Sequence, residues 1–399
     1  MTPRVWETRT RAVPSLPSLI SSQFPGFPMA VKIEHQCLRQ GEGGLVENAI
    51  IGKNSLMPDD IKPYEVLVRV AAVALNPTDH KSPSFCPTPG AIMGVDFAGV
   101  IVHRGSDVRR ELTEGSRVCG AVHGSNPANP GKGSFAEYVA ADSRLLLKPP
   151  VDWTDTQAAA LGGSGWFSAG LFLYESLKLD GKPSSPTTKR ADGTKTPILV
   201  YGAATATGTM ICQILSLSGY APVGVCSSSS ADMVLSYGAI ATIDYVAPNA
   251  AETIKSQTGG QLRHAIDCIS SQESMRCCMA AMGRAGGKYV ASEHTMEEWR
   301  TRRGVKVLPL QLAYETFGNG VELPGLYHRE PSPAKHQLTM DMADEVQKLL
   351  DRGLIRSHPP KALPPGFQSI IGGLKMLKAG EVRGQKLVVC LDSGLTNQS

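Results

Sequence analysis

From residue 198 onward the chain alternates short apolar runs with helical spacing, and nothing else in it restricts the fold as strongly. Residues 198–201 form an uninterrupted apolar run, 209–217 carry helical spacing, 222–226 are a second run, and 231–237 form a short helix stopped at Gly238. The alternation continues through 242–244, 265–268 and 288–291, the last run following a helix end at 279–283 and a Gly286-Gly287 turn. Apolar runs separated by helices are the buried strands of βαβ units. They predict a parallel, doubly wound sheet whose ligand crevice lies at the carboxyl ends of its strands.

The preceding part of the chain has another texture. Residues 66–74, 95–102, 117–122, 135–140 and 145–148 are short β-rich runs set off by turns, the pattern of a small β-barrel. Thr154 with Gln157 three positions later makes a capping box that starts an Ala-rich helix at Asp155. Residues 181–197 are charged and rich in Pro, Ser and Thr, as an exposed insertion near a domain junction is. Order fades after about residue 300. Residues 366–379 then predict a helix ahead of a closing strand at 386–391, a tail expected to return to the first domain. The expected fold class is α/β, a β-barrel domain plus a doubly wound parallel sheet. The expected division is a disordered arm at 1–28, the barrel at 29–180, the dinucleotide domain at 181–325 and the return segment at 326–399.

Composition removes several function classes. With 399 residues, 42% of them hydrophobic and 19% charged, the chain suits a globular protein of one large or two ordinary domains. Forty Lys and Arg against 36 Asp and Glu give a net charge of +4, far from the charge density of nucleic-acid binders. Two uncharged stretches, 156–174 and 196–231, are cut by glycines, and the second also by Pro222 and serines; they predict protein interior and no membrane span. Residues 1–28 carry three arginines and faintly resemble a transit peptide, but Pro14, Pro17, Pro25 and Pro28 break the helix such a leader needs. An arm, or an upstream start ahead of Met29, is the plainer expectation. Nine cysteines without a CxxC point to reduced thiols, a cytoplasmic setting and no structural zinc. His80, His264 and His294 have no ligand-spaced partners.

The chemistry is carried by Val200-Tyr201-Gly202-Ala203-Ala204-Thr205-Ala206-Thr207-Gly208, a strand running through a small-residue turn into a helix. Small side chains let backbone amides approach a pyrophosphate, and a helix N-terminus favours its negative charge. Thr205 and Ala206 stand where glycines would be most telling, so a tight packing turn is the competing explanation. The next strand ends in Ser227, Ser228, Ser229 and Ser230, about 25 residues after Gly202. An acid there would hold a ribose 2′-hydroxyl and repel a 2′-phosphate. The stretch contains none, which favours NADPH over NADH, against the reading of a solvated Ser-rich loop. Gly131-Lys132-Gly133-Ser134 lacks P-loop spacing, and Gly162-Gly163-Ser164-Gly165 is no nucleophile elbow.

In the first domain, Asn76-Pro77-Thr78-Asp79-His80-Lys81 follows a strand and Gly94-Val95-Asp96-Phe97-Ala98-Gly99 opens another. Here the chain resembles the medium-chain dehydrogenase/reductase superfamily, in which a GroES-like barrel precedes, and resumes after, a Rossmann domain. Val95-Asp96 occupies the place of the His-Glu pair of zinc alcohol dehydrogenases and Asn76 that of their catalytic Cys, so the resemblance implies the metal-free reductase branch. Within it the chain is most similar to fungal trans-acting enoyl reductases that serve polyketide synthases. The similarity rests on 76–81, Ala158-Ala159-Ala160-Leu161, Leu199-Val200-Tyr201-Gly202, Thr205-Ala206-Thr207, 265–269, 283–287 and 384–389, in that order over residues 30–392.

The resemblance implies NADPH contacts at Thr78, Asp79, His80, Lys81, Ala204, Thr205, Ala206, Thr207, Ser227, Ser228, Ser229, Ser230, Tyr245, the backbone near Phe317, Gly384 and Gln385. It implies acyl-chain contacts at Leu161, Gly162, Gly163, Ser164, Gly165, Trp166, Phe167 and Ser168, and, by position alone, at Leu338, Thr339, Met340, Asp341 and Met342. The 162–167 loop is one residue longer than its family counterpart, and Trp166 is bulky. The implied reaction is NADPH-driven reduction of an α,β-unsaturated polyketide thioester on a synthase carrier domain, with Lys81 the catalytic candidate as donor to the thioester oxygen. A surface lysine is the bland alternative for Lys81, and loop-fixing hydrogen bonds that for Asp79. Tyr245 can edge the adenine or merely end a strand, and Asp267 is expected to be structural. Arg300, Arg302, Arg303 and Lys306 form the densest basic cluster, either a solvated loop or a steering patch for an acidic carrier. A stand-alone quinone or enone reductase and a non-catalytic synthase scaffold are the rival functions. The oligomeric state is left open, a monomer being one option.

Overall fold

The computed structural model describes residues 32–188 and 190–391, so the predicted N-terminal arm lies outside the described residues. In the first domain β1 (Ile33–Arg39) and β2 (Ile50–Leu56) pair as a separate antiparallel ribbon. Then come β3 (Glu65–Ala74), α1 (Thr78–Phe85), β4 (Asp96–Arg104), β5 (Arg117–Ala121) and β6 (Tyr138–Asp142). After α2 (Asp155–Leu161), α3 (Ser164–Gly170) continues into a π-helical segment, Leu171–Ser176. The predicted capping box is present at α2, where the Thr154 side chain accepts from the Gln157 amide and Gln157 reaches back to the Thr154 amide.

The second domain runs β7 (Pro197–Tyr201), α4 (Ala206–Leu217), β8 (Ala221–Cys226), α5 (Ala231–Ser236), β9 (Ala241–Asp244) and α6 (Ala250–Gln257). It continues with β10 (His264–Asp267), α7 (Gln272–Ala281), β11 (Gly287–Ala291) and β12 (Val305–Val307). Its six strands are all parallel, in the order β12-β11-β10-β7-β8-β9. Every residue of β7 and β8 is buried, because helices cover both faces and each position must be apolar or small. The order reverses between β7 and β10, and a dinucleotide crevice opens at such a switch point.

The chain then leaves through α8 (Pro333–Asp351), β13 (Pro360–Leu363), α9 (Phe367–Lys378) and β14 (Lys386–Cys390). Strand β14 pairs with β3, so the tail closes the first domain's sheet in the order β13-β14-β3-β4-β5, with β6 also on β3. This α/β architecture, a β-sheet domain that the tail completes and a six-stranded parallel doubly wound sheet, is the expected one.

Several elements differ from expectation. The predicted strand at 145–148 is a 3-10 turn, Ser143–Leu145, followed by a single bridge from Leu147 to Cys119. The β1–β2 ribbon, α6, β12 and α8 were not expected. In α8 the buried positions include His336 and Thr339 beside Met342, Ala343, Val346, Leu349 and Leu350. Polar residues on the buried face interrupt the apolar period that would reveal it. Among the described residues no helix is long and apolar enough to cross a membrane.

Candidate active site

A cleft of about 770 Å³ opens between the two sheets and takes its walls from both. Gly202 follows β7 with φ +75°, a conformation that favours glycine, and a Cβ there would lie 2.8 Å from the Ile269 side chain. A Cβ on Gly208 would come within 2.3 Å of the Gly202 carbonyl, so both glycines are fixed by how tightly strand and helix meet. Thr205 takes a non-glycine role: its hydroxyl caps α4 by accepting from the Gly208 amide at 3.0 Å. Ala206 and Thr207 follow at the first two helical positions, where amides have no intrahelical acceptor, and both line the cleft. The glycine-poor turn thus keeps the donors a phosphate needs.

At one end of the cleft Ser227 hydrogen-bonds Ser229 at 3.1 Å and Ser230 at 3.0 Å. The serine stretch contains no acid, yet it does not lie in acid-free surroundings. Cys226 of β8 is in register with Asp244 of β9, and the Asp244 carboxylate accepts from the Ser228 amide at 3.2 Å and from the Ser228 hydroxyl. These bonds hold the Asp244 carboxyl below its ordinary value. A cation that the sequence reading lacked stands opposite. Arg383 reaches the Tyr245 hydroxyl at 3.5 Å, lines the cleft beside Ser227, Ser230, Tyr245 and Gly384, and makes no ion pair among the described residues.

At the other end α1 presents Thr78, Lys81 and Ser82 to the cleft. The Thr78 hydroxyl bonds Ser82 at 3.0 Å and the Tyr314 phenol at 2.9 Å. Tyr314 sits on a 3-10 turn, Ala313–Phe317, pinned by the buried Glu315, which accepts from the Leu312 amide at 2.8 Å and pairs with Lys335. The Tyr314 ring stacks on His123 with centroids 3.7 Å apart. Burial pushes the His123 imidazole down to about 3 and the Tyr314 phenol up to about 12, so both are neutral across the working pH range.

The floor is a buried polar cluster. The Lys386 ammonium donates to Asn76 Oδ1 and, at 3.1 Å, to Asp96 Oδ2. The other donors to Asp96 are the Gly163 amide (3.0 Å), the Ser164 amide (2.9 Å), the Ser164 hydroxyl (2.5 Å) and Asn76 Nδ2 (2.9 Å). Asp79 turns away from the cleft, accepting from the Asn76 amide at 2.8 Å, and its other oxygen is buried without a partner. Desolvation, with Asp96 nearby, raises the Asp79 carboxyl to about 8.

Against this geometry, family models match as the alcohol dehydrogenase GroES-like domain over residues 62–151 and as zinc-binding dehydrogenase over 206–292. A trans-enoyl reductase of Aspergillus flavipes is 42% identical over 354 residues, covering 88% of this chain and 94% of that one. One from Pyricularia oryzae is 40% identical, covering 89% and 97%. The chain belongs to the trans-enoyl reductases. Among solved structures, the CurK enoyl reductase shares the fold with a TM-score of 0.67 at 18% identity, covering 90% of this chain and 99% of that one. A putative zinc-dependent alcohol dehydrogenase from Rhizobium etli has a TM-score of 0.70 at 20% identity, covering 91% and 99%.

The zinc that one family model's name implies does not suit this trans-enoyl reductase. Zinc sites converge thiolate, imidazole or several carboxylate ligands. Here the floor offers one carboxylate, one amide and one hydroxyl, already gathered around an ammonium. The dinucleotide does suit the cleft, given the open amides of α4 and the close-packed glycines beneath them.

Of the residues singled out in the sequence, Thr78, Lys81, Ala204, Thr205, Ala206, Thr207, Ser227, Ser230, Tyr245, Gly384, Gln385, Ser164 and Ser168 line the cleft together. Others lie elsewhere. His80 and Ser229 are not on its wall, and Ser228 is engaged by Asp244. Phe317 lines a separate cavity of about 240 Å³ and packs edge-on against Phe167. Leu161, Gly162, Gly163, Gly165 and Phe167 are also off the lining, and Trp166 is wholly buried, its indole donating to the Gly162 carbonyl at 3.0 Å. Leu338, Thr339, Met340, Asp341 and Met342 belong to α8 and are outside the cleft. There Thr339 bonds the Lys335 carbonyl, Asp341 accepts from Gln337, and Met342 packs over Gly170. In the basic cluster, Arg302 donates to the carbonyls of Met279, Met282 and Gly283 at the end of α7, and Arg300 pairs with Glu297, so these two brace the fold. Asp267 is structural as expected, accepting from Ile269, Ser270, Ser274 and Tyr289.

Proposed function

We propose that this trans-enoyl reductase uses NADPH to reduce an α,β-unsaturated thioester carried on the carrier domain of a partner polyketide synthase, in the cytoplasm. The observation that carries the reading is the pairing of free helix-start amides at α4 with a cleft floor organised by the Lys386 ammonium. When bound, the reduced nicotinamide supplies the hydride for the β-carbon. The Ala206 and Thr207 amides hold the pyrophosphate, and the hydroxyls of Ser227 and Ser230 with the Arg383 guanidinium hold the 2′-phosphate. Thr78 and Lys81 position the reacting end, where Lys81 supplies charge to the thioester oxygen as an enolate forms.

Asp244 favours a second reading. Asp244 ends β9, one strand beyond the place where an acid selects NADH, but its carboxylate reaches Ser228 in that place, while Arg383 stands at the same end of the cleft. Steady-state kcat/KM with NADPH and with NADH, measured on a carrier-bound enoyl thioester, decides between them. NADPH preference of tenfold or more is expected. Turnover of quinones with idle thioesters overturns the substrate assignment. Unaltered product saturation when the chain is coexpressed with its synthase overturns the partnership.

A further inference from the structure

Reduction of an enoyl thioester needs a proton for the α-carbon as well as a hydride for the β-carbon. Several groups on the cleft wall carry protons, and most are committed elsewhere. Lys386 is held by Asn76 and Asp96. The Tyr327 hydroxyl donates to Glu293 at 2.6 Å, and His358 is a buried imidazole bonded to Thr209. Tyr245 belongs to the serine end of the cleft. Lys81 is exposed on α1.

Tyr314 differs from all of these. Its ring forms the wall between the main cleft and the smaller cavity, clamped by His123, which is itself 7% exposed. Among the described residues its hydroxyl meets hydroxyls, Thr78 and through it Ser82, and either member of the Tyr314–Thr78 pair can be the donor. When Thr78 donates to the phenolic oxygen, the phenolic hydrogen is free to point into the cleft. Transfer to carbon demands a donor fixed in place, and this one is fixed at both ring and hydroxyl.

We propose that Tyr314 is the catalytic acid that protonates the α-carbon, recharged through Thr78 and Ser82. The assignment rests on the enoyl-thioester reading above. The hydride bonds to the β-carbon and the double-bond electrons move toward the thioester oxygen as an enolate. The carbonyl then re-forms while the α-carbon takes the phenolic proton. The phenolate regains a proton from the Thr78 hydroxyl, which draws through Ser82 on solvent, so one hydride and one proton are consumed per double bond. The stacked ring sets one face for delivery and therefore one configuration at a substituted α-carbon.

The test compares wild type with Tyr314→Phe, which keeps the ring and its stack and removes the oxygen. The substrate is an α-methyl-α,β-unsaturated thioester with NADPH in D2O, and the readouts are kcat, KM, the α-carbon configuration and its deuterium content. Circular dichroism and calorimetric NADPH binding monitor the folded state and the cofactor site. Expected are a fall in kcat of about 100-fold, KM and NADPH affinity within about twofold, and a mixture of α-configurations in place of one. A single configuration with kcat within about threefold of wild type overturns the assignment. Should Tyr314→Phe not fold, Thr78→Val decides: a lower kcat with KM, NADPH affinity and configuration all retained supports the relay, and an unchanged kcat, or a kcat lost together with NADPH affinity, overturns it. A wild type that binds NADPH but reduces no enoyl thioester fails the underlying reading and the assignment with it, a result distinct from failure of the variant alone.

Discussion

Replacing Lys386 by Met tests the cleft floor most directly, because it removes the ammonium and keeps the apolar stem. Asp96 is 1% exposed and Lys386 6%, so the lost charge cannot be replaced by solvent without opening the floor. Removing one partner of a buried ion pair costs about 3–5 kcal/mol. Four further donors remain on Asp96, from Asn76, Gly163 and Ser164, which places the expected loss near the lower limit, at about 3 kcal/mol. With a urea slope of about 3 kcal/mol/M, the midpoint of unfolding falls by about 1 M at pH 7.5. Adding Asp96→Asn to Lys386→Met keeps an acceptor for the Gly163 and Ser164 amides and buries no charge, so it recovers about 2 kcal/mol. A loss below about 1 kcal/mol refutes the buried-pair argument.

Three further outcomes are expected. Asp79, raised to about 8, binds its proton more tightly folded than unfolded, so its contribution is full below the usual carboxylate pKa and is lost as pH climbs to about 8. Asp79→Asn removes a slope of up to about 1.4 kcal/mol per pH unit across that window, read by urea unfolding at several pH values. Arg383→Ala weakens NADPH and 2′,5′-ADP binding about tenfold in calorimetry, equivalent to about 1.4 kcal/mol, and leaves NADH and 5′-AMP unchanged. Trp166→Ala lowers stability by about 3–5 kcal/mol while leaving the acyl-substrate KM of the folded fraction within about twofold, because Trp166 fills the core and not the cleft.

How much was legible in the sequence follows from where each signal is stored. Strands β7 and β8 are buried on both faces, so the hydrophobic runs that announce them are also what stabilises them, and the Gly202 turn follows from the same local steric demands. Thr205 is intelligible only with the helix start in view, since as a cap it preserves the cradle that a missing glycine seemed to weaken. Asp244 and Arg383 were missed because neither lies in the serine stretch. One enters by strand register 16 positions after Ser228, and the other by the chain's return to the first domain. Asn76 and Asp96 were noticed as replacements for metal ligands, but Lys386, which completes their cluster, is 290 positions from Asp96. Helix α8 carries a start signal in Ser332 and Pro333, while His336 and Thr339 on its buried face blur the period that would reveal the rest.

The segment from Arg383 to Lys386 gives these separated pieces a common mechanical role. Arg383 and Gly384 stand by the serine end of the cleft, and three residues later Lys386 opens β14 inside the floor that fixes the Gly163 and Ser164 amides. Arg383 precedes the strand and joins it through a bend at Gly384, whose φ is +63°, while β14 from Lys386 onward is held by backbone pairing to β13 and β3. Arg383 before that bend and Lys386 after it bring one cation to the serine end of the cleft and one to Asp96, which in turn holds the Ser164 amide. One short return segment therefore supplies a cation to each end of the cleft. It also explains why the tail must return to the first sheet: a terminus that ended after β12 would leave the Rossmann-type sheet intact and the cleft without either cation.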